Sequence, residues 1–190
     1  MFKKITLDNG LRVITVPMTG TKTVTVLVLV KTGSKYETKE ANGISHFLEH
    51  MFFKGTKERP TPADIVKDMD RIGGEYNAFT SKEMTGYYAK VDSSHLDLAL
   101  DWIADIFLNS KFDEKEIEKE KGVILEEINM YYDLPMHFIG VLWEELLYGD
   151  QPAGWQIIGT EQNIKNVQRD NFIKYLQEHY STKNLSLIHI

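Results

Sequence analysis

The 190-residue sequence predicts an α+β domain, with an antiparallel sheet of about six strands and helices packed on one face. Three observations carry this expectation. The first thirty residues read as strands joined by a hairpin signal, a second β-rich pair follows near residues 75–91, and the pattern turns helical from Ser94 onward.

The elements follow in order. Phe2–Leu7 and Leu11–Val16 read as strands joined by Asp8-Asn9-Gly10, whose Asn-Gly pair suits a tight hairpin turn. Lys22–Lys31 alternates Thr and Val as a half-buried strand does, and Gly33 ends it. A helix is expected over Asn42–Lys54. The loop Arg59-Pro60-Thr61-Pro62 follows, then a helix over Ala63–Ile72, stopped by Gly73-Gly74. Glu75–Thr80 and Met84–Val91, rich in Tyr, Phe and Thr, form the second hairpin. Helices are expected over Ser94–Asn109, Asp113–Tyr132, Pro135–Tyr148 and Asp170–His179, with Gly149–Gly159 as a loop. Residues 1–184 read as one domain that stops at its sixth strand. Leu185–Ile190 carries two readings, a strand cut short or a sequence artefact, because it also matches the translation of a transposon-end sequencing adapter.

Composition narrows the function. Hydrophobic residues make up 42% of the chain, enough for one domain with a real core or for part of something larger. The 22 Lys and Arg against 28 Asp and Glu give a formal net charge of −6, so no basic stripe is available for phosphates and a nucleic-acid partner is not expected. The absence of Cys excludes a disulfide scaffold, a Cys-ligated zinc and a thiol nucleophile. The longest apolar run, Val24–Val30, is broken by Thr25 and is too short to span a bilayer, so no membrane segment is expected. Met1–Ile5 has no secretory h-region, which makes a cytoplasmic location the expectation.

His46-Phe47-Leu48-Glu49-His50 has the pattern H-x-x-E-H. On a helix, i, i+3 and i+4 share a face, so both imidazoles can reach one ion with Glu49 beside them. Phe47, Leu48, Met51 and Phe52 cluster on the opposite side, which makes the helix amphipathic. Phe53 falls on the ligand face, where it either lines a substrate pocket or packs under a loop. His95, His137 and His179 are isolated and read as structural or solvated rather than as ligands.

A catalytic zinc typically takes three protein ligands, and without Cys the third is His, Asp or Glu. The place to look is the helix that Asp113 and Glu116 cap, whose apolar stripe is Ile117, Ile124, Ile128 and Tyr131. Counted from Ile117 at ~100° per residue, Glu120 falls near ~300° and Glu127 near ~280°, at the margin of that stripe, whereas Glu126 near ~180° faces away. Two carboxylates beside a buried face are costly unless a cation pairs with them or both reach out to water. Periodicity leaves those readings open, but it selects Glu127 over Glu126 as the inward group.

Taken together, H-x-x-E-H followed by Met51-Phe52-Phe53-Lys54-Gly55-Thr56, then Gly73-Gly74-Glu75-Tyr76-Asn77-Ala78-Phe79-Thr80-Ser81, Tyr87-Tyr88, and Glu120 through Val123-Ile124-Leu125-Glu126-Glu127-Ile128, resemble a known family. The resemblance is to the N-terminal part of an inverted-zincin metallopeptidase of the pitrilysin, or insulinase, family, over about residues 2–184. It implies the metallohydrolase fold of LuxS and the processing peptidases, and one Zn²⁺ per domain held by His46, His50 and Glu127. It further implies Glu49 as general base and Glu120 as a carboxylate supporting a ligand. The strand Glu75–Thr80 would be an edge on which an extended peptide adds, with Asn77 and Ala78 aligning it and Phe79 and Phe53 walling a pocket. Core packing is the other reading of Phe79.

The resemblance implies a zinc endopeptidase acting on short or unfolded peptides, with a second homologous domain or subunit closing over the site. The fragment alone would then be weakly active or inactive. A metal lyase acting on S-ribosylhomocysteine shares the H-x-x-E-H arrangement but needs Cys, which is absent. The rival from another class is a non-catalytic peptide-binding partner subunit of a two-chain peptidase. Such chains typically lack one or more of the motif residues, and all are present here.

Overall fold

The computed structural model describes residues 1–190. Six strands form one sheet: β1 Lys3–Thr6, β2 Arg12–Thr15, β3 Thr23–Val30, β4 Glu75–Thr80, β5 Thr85–Asp92 and β6 Leu185–His189. Their order across the sheet is β1-β2-β6-β3-β5-β4, so β1 and β4 are its edges. Seven helices accompany them: α1 Ile44–Met51, α2 Pro62–Arg71, α3 Leu96–Asn109, α4 Glu114–Tyr132, α5 Pro135–Tyr148, α6 Glu161–Asn166 and α7 Arg169–His179. None is long and apolar enough to cross a membrane.

The Thr/Val alternation of β3 sets the inward face. Val26, Val28 and Val30 are buried, and across the antiparallel ladder Val26 faces Ala89 and Val28 faces Tyr87 on β5. The helices cover this face with Phe47, Leu48 and Met51 of α1, Trp102 and Ile106 of α3, Ile117, Ile124 and Ile128 of α4, and Phe172 of α7. Aromatic rings bind the layers together: Phe52 meets Tyr87 edge-on at 4.8 Å, and Phe47 meets Phe172 at 5.0 Å.

The α+β architecture follows the sequence expectation, with three differences. The sheet is antiparallel except for β2 and β6, which run parallel because the final segment enters between β2 and β3 rather than at an edge. There Leu185–His189 satisfies backbone groups of both neighbours, a role filled by main-chain atoms and therefore indifferent to the origin of the side chains. The ligand helix is shorter than Asn42–Lys54. Gly43, at φ +100°, starts it, and the chain leaves through tight turns in which Phe53 N–H donates to His50 and Lys54 N–H to Met51. Helix α6 was not visible in the sequence pattern, since six residues are too few to show a period, although Thr160 caps it by accepting from Asn163 N–H.

One buried polar cluster anchors the loop after α1. Arg59 lies 2.8 Å from Asp105 and 2.8 Å from Asp101, while Asp105 also accepts from the Thr56 hydroxyl at 2.7 Å and from Asn109 at 3.0 Å. Burial pushes the Asp105 carboxyl up, but the bonds from Thr56, Arg59 and Asn109 outweigh it and hold the group below its ordinary value of 3.8. Asp105→Ala leaves a buried guanidinium short of a partner and is expected to lower stability by roughly 3 kcal/mol in urea unfolding at neutral pH. Because the folded-state pKa is depressed, this contribution is present above 3.8 and is lost as pH falls below it. The stability gap between wild type and variant should therefore narrow in acid.

Candidate metal centre

Helix α1 brings the H-x-x-E-H residues to one side because its other side is committed to the core. Ile44, Phe47, Leu48 and Met51 are buried, leaving His46, Glu49 and His50 facing α4. Helix α4 answers with Glu120 and Glu127 at the margin of its own buried stripe of Ile117, Ile124 and Ile128, while Glu126 points to solvent. His46 Nε2 lies 3.6 Å from Glu127 Oε1, and His50 Nε2 lies 3.6 Å from Glu127 Oε2. One donor atom from each of His46, His50 and Glu127 lies within 4.8 Å of the others. Two donors ~2.0–2.1 Å from a tetrahedral zinc stand roughly 3.3 Å apart, so the three side chains would hold one such ion by drawing closer together than the 4.8 Å within which their donor atoms lie.

The surroundings prepare each group. Glu120 Oε1 accepts from His50 Nδ1 at 2.8 Å, which places the proton on Nδ1 and turns the Nε2 lone pair toward Glu127. The other oxygen of Glu120 pairs with Lys54 at 2.7 Å. Burial pushes the Glu120 carboxyl up, yet His50 and Lys54 together hold it below its ordinary value, so it stays an acceptor. Burial, with a smaller contribution from His50, lowers His46 to about 3 and keeps that imidazole neutral. Glu49 moves the other way: burial raises it, the Thr80 hydroxyl donating to Oε2 at 2.5 Å and the nearby His50 pull it back, and Glu127 raises it further. A carboxyl lifted in this way is a better proton acceptor than a solvated one.

The expected substrate residues are not gathered in one place. β4 is an edge strand, as expected, and its side chains alternate: Tyr76, Ala78 and Thr80 face the helices, whereas Glu75, Asn77 and Phe79 face outward. Ala78 is buried and Asn77 exposed. Phe79 is 41% exposed and lies over Gly86, where an added Cβ would stand 2.3 Å from its ring, so core packing does not describe it. Phe53 is half-buried against Trp102 at 6.1 Å, and Tyr76 meets the same indole at 5.3 Å. Phe53 and Phe79 therefore belong to opposite faces of β4. His95, His137 and His179 lie outside the donor triangle.

Four contributors were not singled out from the sequence. Lys54 stands one turn after His50 and was detectable by that spacing. Thr80 shares the inward face of β4, which alternation alone could not orient. Tyr131, one turn beyond Glu127 on α4, is raised by burial and then by the neighbouring Glu127 carboxylate. Glu37 accepts from the backbone at the start of α1 and has no motif to mark it.

The metal-free protein offers a direct check. By ¹⁵N NMR, His46 is expected to show no titration as pH falls from about 7 to about 5, since its pKa lies at about 3. A midpoint near the ordinary histidine value would contradict the burial described here.

Comparison with known proteins places the arrangement. The profile of the insulinase family, peptidase family M16, matches residues 12–161. The uncharacterized zinc protease YmxG of Bacillus subtilis (strain 168) is 45% identical over 181 residues, covering 95% of this chain and 44% of the relative. The probable mitochondrial-processing peptidase subunit beta of Arabidopsis thaliana is 41% identical, covering 95% and 34%. Among solved structures, a protease from Helicobacter pylori superposes with a TM-score of 0.94 at 31% identity, over all of this chain and 46% of that one. The chain thus spans less than half the length of each of these relatives, and it belongs to the insulinase family of peptidases, M16.

Proposed function

We propose that residues 1–184 are the catalytic domain of a zinc endopeptidase that hydrolyses peptide bonds in short or unfolded peptides through a metal-activated water. The observation that carries this reading is the donor triangle of His46, His50 and Glu127 with Glu49 on the same helix face. The zinc-protease names of the relatives support it.

His46, His50 and Glu127 would hold the ion. Zinc, when bound, supplies a Lewis acid that acidifies water and polarises a carbonyl. Glu49, tied to Thr80, takes a proton from water as its oxygen bonds to the peptide carbon, then delivers that proton to the leaving nitrogen as the C–N bond breaks. Glu120 keeps His50 in the tautomer that presents Nε2. The unpaired edge of β4 would bind the peptide main chain as an added strand, aligned near Asn77 and Ala78, with Phe79 and Phe53 as contacts on the two faces. No observation favours the non-catalytic subunit.

The site would work under a second homologous domain or subunit, and α5 offers it a surface. None of the helix's 14 residues is buried, and Met136, Ile139, Trp143, Leu146 and Leu147, at helical spacing, are all more than half exposed. The relatives carry more than half of their length outside the region matched here, which is room for that partner.

Two experiments test these readings on the full-length protein. Purified wild type should hold one zinc per domain, lost in His50→Ala and Glu127→Gln, whereas Glu49→Gln should keep the metal and lose at least about 10²-fold in peptide turnover. Absence of zinc from wild type, or unchanged turnover in Glu49→Gln, would overturn the mechanism. Ile139→Glu with Trp143→Glu should enlarge the radius of gyration in solution scattering while zinc content stays unchanged. Unaltered compactness would exclude α5 as the docking face.

A further inference from the structure

The two imidazoles of the site are held in different ways. His50 Nδ1 has Glu120 at 2.8 Å, but His46 Nδ1 is buried with no hydrogen-bond partner. His46 also sits in the first turn of α1, where backbone N–H groups have no acceptors inside the helix. An eight-residue helix does not hold its own ends in place. The location of His46 Nε2 is therefore set by whatever fixes that first turn.

Glu37 fixes it from outside the helix. The residue at the N-cap position is Gly43, which has no side chain to cap with. Instead Glu37, only 5% exposed, reaches in from the loop after β3. Its Oε2 accepts from Gly43 N–H at 2.8 Å and from Asn42 Nδ2 at 3.0 Å, and its Oε1 accepts from Ser45 N–H at 2.8 Å. The N–H that Oε1 holds belongs to the residue immediately before His46. From the far side the Tyr175 hydroxyl of α7 stands 2.7 Å from Ser45 Oγ and 3.0 Å from Thr32 Oγ1. Behind the turn, Gly43 and Gly159 touch so closely that a Cβ on Gly43 would meet the Ile158 carbonyl at 2.7 Å.

We propose that Glu37, seconded by Tyr175, is a positioning residue of the metal centre, locking the first turn of α1 so that His46 is presented at the geometry that Glu120 secures for His50 through its ring. The inference rests on the zinc-peptidase reading above. It differs from ordinary stabilisation by a buried cap, because its consequence is local to one ligand.

The test uses the full-length protein. Glu37→Gln keeps the size of the side chain but sets an amide NH₂ against backbone donors. Zinc affinity, read by competition with a chelator, is expected to fall by roughly 10–100-fold. The visible spectrum of the cobalt-substituted site should shift, and kcat should drop while KM for the peptide stays within about twofold, since β4 is untouched. Asp105→Asn, in the Arg59 cluster, serves as the control for lost stability alone and should leave metal affinity and spectrum as in wild type. Tyr175→Phe removes only the hydroxyl and should give a smaller loss in the same direction, and it carries the test if Glu37→Gln does not fold. Wild-type affinity and spectrum in the folded variant, or an equal loss in Asp105→Asn, would overturn the proposal. A wild-type protein without zinc would overturn the peptidase reading and this inference with it.

Discussion

Everything at the site depends on how two helices of unequal length meet. Helix α4, with 19 residues, is long enough to be a fixed beam, its Ile117, Ile124 and Ile128 sunk in the core. Helix α1, with eight, would not persist in water and exists because Ile44, Phe47, Leu48 and Met51 are buried on one side. That burial decides which side is left over. The remaining face carries two imidazoles and a carboxyl, and it comes to rest against the only part of α4 that presents Glu120 and Glu127. Hydrophobic packing thus decides which helix faces form the polar site, and buried hydrogen bonds from Glu37 and Glu120 then hold its turn and ring.

Charge is arranged to keep those groups usable. Three carboxylates gathered beside the two imidazoles would repel one another if left alone. Lys54 draws Glu120 away from the others and keeps it ionised, so that it accepts from His50. Burial and the neighbouring Glu127 lift Glu49, and Thr80 restrains it. The tie to Thr80 also fastens the edge strand β4 to the ligand helix. The strand that would receive a peptide main chain and the carboxyl that would move its protons are therefore joined by a direct hydrogen bond.

The sequence made the centre legible because its signals are local. Turn spacing within a helix places His46, Glu49 and His50 on one face, and the wheel of α4 favours Glu127 over Glu126, since both depend only on 100° per residue. Helix α5 shows the limit of such reading. Its apolar residues were plain in the sequence, yet a helix that buries none of them is indistinguishable there from one that buries them all. The outward face of Phe79 and the inward face of Thr80 were likewise hidden, because alternation gives two faces without saying which meets the core.

By itself, then, the sequence determined most of the element types, the shared helix face of His46, Glu49 and His50, the inward side of Glu127 against Glu126, and the absence of any thiol, all properties of short-range period and residue type. The tertiary structure alone decided the parallel pairing of β6, the separation of Phe53 and Phe79 onto opposite faces of β4, and the capture of the start of α1 by Glu37. Each of these joins segments distant along the chain, where no local period exists to record which partner the packed core will bring within reach.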